Sequence, residues 1–222
     1  MNPDKYIQEK YNIDVSNTKS PIVIDGLLRK NLYELFHELG YKVGAEIGVR
    51  VGNNATVMFK AIPGVRLYLV DPWCRYSDSL SNDSDLFLGQ AYMMTRRRVK
   101  EFDSTIIRMD SLHASLKFPD NSLDFVYIDA NHTYDSCMMD IILWTQKVRK
   151  GGIISGHDYR ARPSWFAMGN NVILCEGVFE SVDDYTKRHA ISPVYLTYVP
   201  PEDVEQKPSD MNQSWFFVKG DR

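Results

Sequence analysis

The segment Val43-Gly44-Ala45-Glu46-Ile47-Gly48-Val49-Arg50-Val51-Gly52-Asn53-Asn54 constrains the fold more than any other part of the chain. An apolar strand runs into a glycine turn, and the turn runs directly into a helix start. Glycines at Gly48 and Gly52 remove the Cβ atoms that would hold a ligand off the backbone, and they permit positive φ. The helix that follows points its first, unpaired N–H groups at the same spot. A turn built for a pyrophosphate has the order G-x-G-x-x-G. Here the order is E-x-G-x-x-x-G, and no glycine falls two residues after Gly48. The carboxylate of Glu46 repels phosphate but can hold a cation.

The rest of the chain repeats strand and helix around this unit. Leu28, Leu32, Leu35, Phe36 and Leu39 recur at helical spacing, and Gly40 follows as a stop. Strands are expected over 43–49, 66–70, 105–109, 123–128 and 153–156, with helices over 54–61, 86–102, 134–148 and 178–189. Such alternation predicts an α/β, Rossmann-like, doubly wound sheet, mostly parallel, with helices on both faces. The last two strands, 194–199 and 214–218, have no helix between them and should form a C-terminal antiparallel hairpin. That makes seven strands. The polar connection 200–213 and the Ser/Asn/Asp-rich loop 77–85 read as long loops. Residues 1–25 read as an N-terminal arm and 26–222 as a single domain, which suits a chain of 222 residues.

A net charge of −3 gives no general attraction to nucleic acid or to an anionic membrane surface. The run Arg96-Arg97-Arg98-Val99-Lys100 reads as a solvated helix face, and the pairs Met93-Met94 and Met138-Met139 as core. Cys74, Cys137 and Cys175 are odd in number and widely spaced, which argues against a disulfide framework and for a reducing compartment. No apolar run has the length of a membrane span, and no secretory h-region follows Met1. The expectation is a soluble, cytoplasmic protein.

Four expected strands end in acids, at Asp71, Asp110, Asp129 and Asp158. In an open α/β sheet all four project at one edge, where ligands bind. Helix capping explains a single Asp after a strand, but four in register with the glycine turn point to a site. Four motifs, Glu46-Ile47-Gly48-Val49, Val70-Asp71-Pro72-Trp73, Asp129-Ala130-Asn131-His132-Thr133-Tyr134 and Gly151-Gly152-Ile153-Ile154-Ser155-Gly156-His157-Asp158-Tyr159, occur in that order. Together they resemble the class I S-adenosylmethionine-dependent methyltransferases, in particular a bacterial branch resembling small-molecule O-methyltransferases. The resemblance covers roughly residues 30 to 190 and the terminal strand. Arg50 departs from the general class pattern, which has a glycine in mid-turn.

By this resemblance Glu46, Gly48 and Gly52 would bound the methionine part of S-adenosyl-L-methionine. Asp71 would hold the ribose with Trp73 nearby, and Asp110 and Ser111 would meet the adenine; Asp129 borders the same pocket. The ordinary alternative for Trp73 is a semi-buried aromatic. Catalysis falls to His132, Asp129 and Asp158. Asp129 and Asp158, with the amide oxygen of Asn131, offer hard oxygen donors that suit Mg²⁺. A divalent cation there would lower the pKa of an acceptor hydroxyl, and His132 could take its proton near neutral pH. The plainer alternative makes His132 and His157 structural hydrogen-bonders.

The expected function is methyl transfer to a hydroxyl of a small molecule, a sugar or an aromatic. Two alternatives stand beside it: a non-catalytic S-adenosylmethionine-binding module, and a nucleotide-dependent oxidoreductase. Tyr6, Tyr11, Trp73, Tyr76, Trp165 and Phe166 permit either kind of acceptor. The sequence leaves open the acceptor, the choice of O or N as acceptor atom and the oligomeric state, a homodimer included.

Overall fold

Five of the six residues of Leu123–Ile128 (β5) are apolar or aromatic, as a strand covered on both faces requires. Successive side chains alternate between the faces. Phe125 and Tyr127 enter one core with residues of α1 (Pro3–Lys10), α2 (Arg29–Glu38), α3 (Asn53–Ala61) and α4 (Asp85–Arg98). Val126 and Ile128 enter a second core with α5 (Ser111–Ser115), α6 (Tyr134–Lys147) and α7 (Glu176–Arg188). The same alternation separates Ile153 from Ile154, and Phe216 from Trp215 and Phe217.

The computed structural model describes residues 2–75, 83–159, 166–168, 171–173, 176–198 and 213–220. Its main sheet has the strand order β1 (Ile22–Ile24), β9 (Tyr195–Thr197), β10 (Gln213–Val218), β6 (Val148–Tyr159), β5, β2 (Val43–Ile47), β3 (Arg66–Val70), β4 (Ser104–Ile107). All neighbours are parallel except β10, which runs antiparallel to both β6 and β9. The doubly wound class and the C-terminal antiparallel hairpin are as the sequence leads one to expect. A separate two-stranded ribbon joins β7 (Phe166–Met168) to β8 (Asn171–Ile173). The loop over 76–82, Trp165, Cys175 and the connection 199–212 lie outside the described residues, as does the side chain of Phe166.

The expected strand count of seven is corrected to eight in the main sheet. Ile22–Ile24 pairs in parallel with β9 and buries Ile22 and Ile24. Three residues are too few for an alternation to stand out in a sequence, and this strand exists because β9 offers it an edge. Pro3–Lys10 likewise contributes only one fully buried side chain, Ile7, so its pattern is mostly polar. Strand β6 starts five residues before the expected 153 and carries Lys150-Gly151-Gly152 within it. Gly151 has φ +72°, and the register between β5 and β6 slips over this stretch.

The C-terminal strand closes the second core. Trp215 is fully buried and lies within 2.6 Å of where a Cβ on Gly156 would sit. Trp215→Ala is expected to lower the unfolding free energy by about 3–5 kcal/mol, the usual cost of truncating a buried aromatic. Urea denaturation followed by fluorescence and circular dichroism measures it. A loss under about 1 kcal/mol would mean that β10 does not seal this core.

Candidate active site

The strand order reverses between β2 and β5. From β2 the sheet is built outward through β3 and β4, and the chain then returns to the other side of β2. Open α/β sheets bind ligands at such a point, outside the carboxyl ends of the strands. Here the two strand ends touch. The N–H of Asp129 donates to the carbonyl of Ile47 at 2.8 Å. A Cβ on Gly48 would lie 2.0 Å from the carbonyl oxygen of Asp129, and the φ of Gly48 is +89°. Both facts exclude a side chain at this position.

Hydrogen bonds hold the turn after β2 from several sides. Gly48 N–H donates to the Val70 carbonyl at 2.9 Å. Asp71, just past β3, accepts the N–H groups of Val49 and Arg50 on one oxygen, at 3.0 and 2.8 Å. Its other oxygen accepts the Trp73 N–H at 2.7 Å. Arg50 occupies the mid-turn position with φ +51°. A non-glycine residue pays roughly 1–2 kcal/mol for that conformation, which the surrounding bonds offset. The Arg50 carbonyl accepts the Trp73 indole N–H at 2.7 Å and the Thr95 hydroxyl at 3.1 Å, and the Arg98 guanidinium donates to the Val51 carbonyl. Arginine in place of the mid-turn glycine therefore leaves the left-handed turn intact.

Glu46 lies buried in the strand beneath this turn. Its Oε1 accepts from the Asn54 amide at 2.9 Å, and Asn54 accepts the Tyr33 hydroxyl at 2.6 Å. Oε2 is buried with no hydrogen-bond partner among the described residues. Burial pushes the Glu46 carboxyl up to about 8, more than the Asn54 hydrogen bond brings it down. An ammonium at Oε2 would favour the charged form.

On the other side of the seam, Asp129, His132 and Asp158 meet. His132 Nε2 is 3.1 Å from Asp158 Oδ2 and 3.7 Å from Asp129 Oδ1. One ligand atom from each of the three falls within 4.8 Å of the others. His157 Nδ1 lies 3.2 Å from Asp158 Oδ1, and Arg29 reaches Asp129 Oδ2 at 3.4 Å. Burial opposes the charge on Asp129, yet His132, His157 and Arg29 hold its carboxyl down at about 2. Asp158 is buried with φ +60°. A buried non-glycine residue in that region is the kind of backbone outlier that clusters at functional sites. A lone pair on Nε2 facing two carboxylates would be repelled by both, so this nitrogen carries a proton or shares a cation with them.

The remaining expected residues have local tasks in this arrangement. Asp110 caps α5 by accepting the His113 N–H at 3.0 Å, and it also contacts the His113 ring at 2.8 Å. The Ser111 hydroxyl donates to buried Asp140 and accepts the Trp144 indole N–H at 2.7 Å. Trp73 is 2% exposed, with its ring 5.1 Å from that of Tyr92. Three participants carry no sequence signal: Arg29, Tyr33 and Asn54. Arg29 lies 100 positions before Asp129, and no motif surrounds it.

The sequence matches a methyltransferase-domain family over residues 45–159, and the chain belongs to that family. The matched segment runs from β2 to the end of β6 and carries the turn and all three members of the His132 cluster. With the fold, it defines a class I S-adenosylmethionine-dependent methyltransferase. Among solved structures the chain is similar to an O-methyltransferase from Bacillus cereus in complex with SAH, at 13% identity over 98% of this chain and 90% of that one, TM-score 0.56. It is also similar to a protein described as a caffeoyl-CoA O-methyltransferase from Staphylococcus aureus, at 11% identity over 96% of this chain and 90% of that one, TM-score 0.58. Spermidine synthase from Thermotoga maritima shares 16% identity over 87% of this chain, TM-score 0.52, and the chain spans 58% of its length. Likeness at these identities establishes the fold alone. No curated protein matches the chain by sequence.

Burial of Glu46 predicts a pH dependence. Its folded value, about 8, lies above the ordinary glutamate value, so the folded state holds a proton that the unfolded state releases. This contribution to stability is full at acid pH and is lost as pH rises through about 8. Glu46→Gln, which has no charge to bury, should flatten the decline between about pH 5 and 9 by on the order of a few kcal/mol. Thermal melts across that range decide it. An unchanged slope would show that Glu46 is ionised in the folded protein.

Proposed function

We propose that the protein transfers the methyl group of S-adenosylmethionine to a hydroxyl of a small-molecule acceptor, and that Asp129, His132 and Asp158 prepare that hydroxyl. The observation that carries this reading is His132 Nε2, aimed at two carboxylates beside the glycine turn. The methyl donor fits the other half of the site. Glu46 offers an ammonium a buried oxygen that has no partner among the described residues. Asp71 has three backbone bonds on two oxygens, which leaves acceptor capacity for ribose hydroxyls. Asp110 and Ser111 follow β4 at the same edge, where an adenine would lie.

Displacement at a methyl carbon needs the acceptor oxygen in line with the sulfonium, so positioning supplies much of the rate. Removing the acceptor's proton supplies more. His132 is the group to receive it, on the ring nitrogen turned away from the carboxylates, and Asp129 and Asp158 at Nε2 stabilise the imidazolium that forms. A cation is the other way to satisfy this cluster. Two carboxylates and an imidazole nitrogen fit a divalent metal, and the nitrogen shifts the preference from Mg²⁺ towards Mn²⁺, Fe²⁺ or Zn²⁺. Asp129, His132 and Asp158 would hold it, and when bound it would acidify and orient the hydroxyl. Asn131, expected among the oxygen donors, instead accepts the Thr133 N–H at 3.3 Å.

Membership of a methyltransferase family sets the oxidoreductase alternative aside. A non-catalytic binding module would leave the strained Asp158 backbone and its His132 contact without a use. The net charge of −3 favours a small acceptor over nucleic acid. Among the described residues no helix is long and apolar enough to cross a membrane.

Transfer of radiolabelled methyl from S-adenosylmethionine to a panel of sugars, phenols and amines tests the reading. Activity on hydroxyl acceptors should vanish with chelator and return with a divalent cation. His132→Ala should slow turnover roughly 10²–10⁴-fold. Full activity in chelator together with an inactive His132→Ala variant would remove the metal and leave His132 as the sole base. Turnover indifferent to both would end the proposed role of the cluster.

A further inference from the structure

Arg29 is the arginine that reaches the seam itself, at Asp129. Its hydrogen bond to Asp129 is 3.4 Å long, whereas paired guanidinium–carboxylate contacts lie near 2.7–2.9 Å and are often bidentate. A guanidinium has five N–H donors. Its carbon sits 5.7 Å from the centre of the Tyr127 ring, whose face fixes the plane of the head group. The Arg29 side chain also interacts with Tyr33, which is joined through Asn54 to Glu46. With Asp129 on one side and the Tyr33–Asn54–Glu46 chain on the other, Arg29 stands between the two halves of the site. Other arginines near the edge engage groups away from the seam. Arg50 pairs with Asp83, Arg98 bonds the Val51 carbonyl, and Arg108 bonds the carbonyls of Pro72 and Trp73.

The amino-acid end of S-adenosylmethionine carries an ammonium and a carboxylate. Around the turn and the seam stand Asp71, Asp129 and Asp158, which repel a carboxylate, and Glu46, which joins them once an ammonium favours its charged form. A ligand with both charges needs one cation among these acids. We propose that Arg29 is that cation: its guanidinium takes the carboxylate of the cofactor's methionine end while Glu46 takes the ammonium. The inference rests on the function proposed above and extends it to a residue outside the matched family segment, on the first turn of α2. Arg29 thereby makes a zwitterion the preferred ligand of a largely acidic edge. It also couples cofactor binding to the chemistry, because a carboxylate that draws Arg29 away from Asp129 leaves Asp129 to the two histidines.

Calorimetric titration tests this with two ligands, S-adenosylhomocysteine and the same molecule lacking its carboxylate. The wild-type protein should prefer S-adenosylhomocysteine. Arg29→Met should weaken S-adenosylhomocysteine by roughly 10–100-fold, as expected for loss of a charged hydrogen-bonding partner, and leave the decarboxylated ligand unaffected. Arg29→Gln keeps the stem and some hydrogen bonding, so its preference should fall between the two. The readout is the ratio of affinities, which a general loss of folding does not move. An unchanged ratio in both variants, or an effect confined to the KM of the acceptor, overturns the role of Arg29. Binding of neither ligand by the wild-type protein overturns the proposed function and this inference with it.

Discussion

The close approach of Gly48 to the backbone of Asp129 is the constraint from which the site follows. With 2.0 Å between a notional Cβ and a carbonyl oxygen, β2 and β5 can come together at their carboxyl ends only if one of them ends in glycine. That approach puts the turn of β2 and the acid of β5 on a common seam. It also brings together two kinds of chemistry: a backbone cradle with a buried acid on one side, and an imidazole between carboxylates on the other. In the proposed reaction the two must lie within a few ångströms, because donor and acceptor meet in line.

Four acids on one edge would be unstable if all were bare and charged, and the protein treats each differently. Glu46 sits in an apolar strand, and burial favours its protonated form. Asp71 spends its charge on three backbone N–H groups and so becomes the clamp of the turn. Asp129 keeps its charge against burial because two histidines and Arg29 surround it. Asp158 lies between His132 and His157. The result is an edge whose net field is tunable by one proton or one cation, which is what general-base or metal-assisted chemistry requires.

Much of the fold is legible in the sequence because each main strand is short, apolar and followed by a turn signal. Arg66–Val70 and Leu123–Ile128 fall where the pattern puts them, and the lack of a helical pattern in the sequence ahead of Gln213–Val218 leads one to expect an antiparallel strand. Elements held by partners are not legible. Ile22–Ile24 and Ser111–Ser115 are too short for a period to show, and Pro3–Lys10 buries a single residue. These segments gain their stability from the sheet edge or helix face they meet, and nothing in the local sequence records that face.

The sequence by itself determined the class of the site: a glycine turn beside an acid, and further acids at successive strand ends. Those features are local, and the parallel topology forces them to one edge. Only the tertiary structure decided how each acid is used. It turned Asp71 towards the turn backbone, set Trp73 into the core, and pointed His132 at both Asp129 and Asp158. It also brought in Arg29 and Tyr33 from a helix whose sequence signals nothing but packing. The physical reason is that charge, hydrogen bonding and burial of a side chain depend on neighbours distant in the chain, and a strand-end motif fixes where a carboxylate stands but not what it faces.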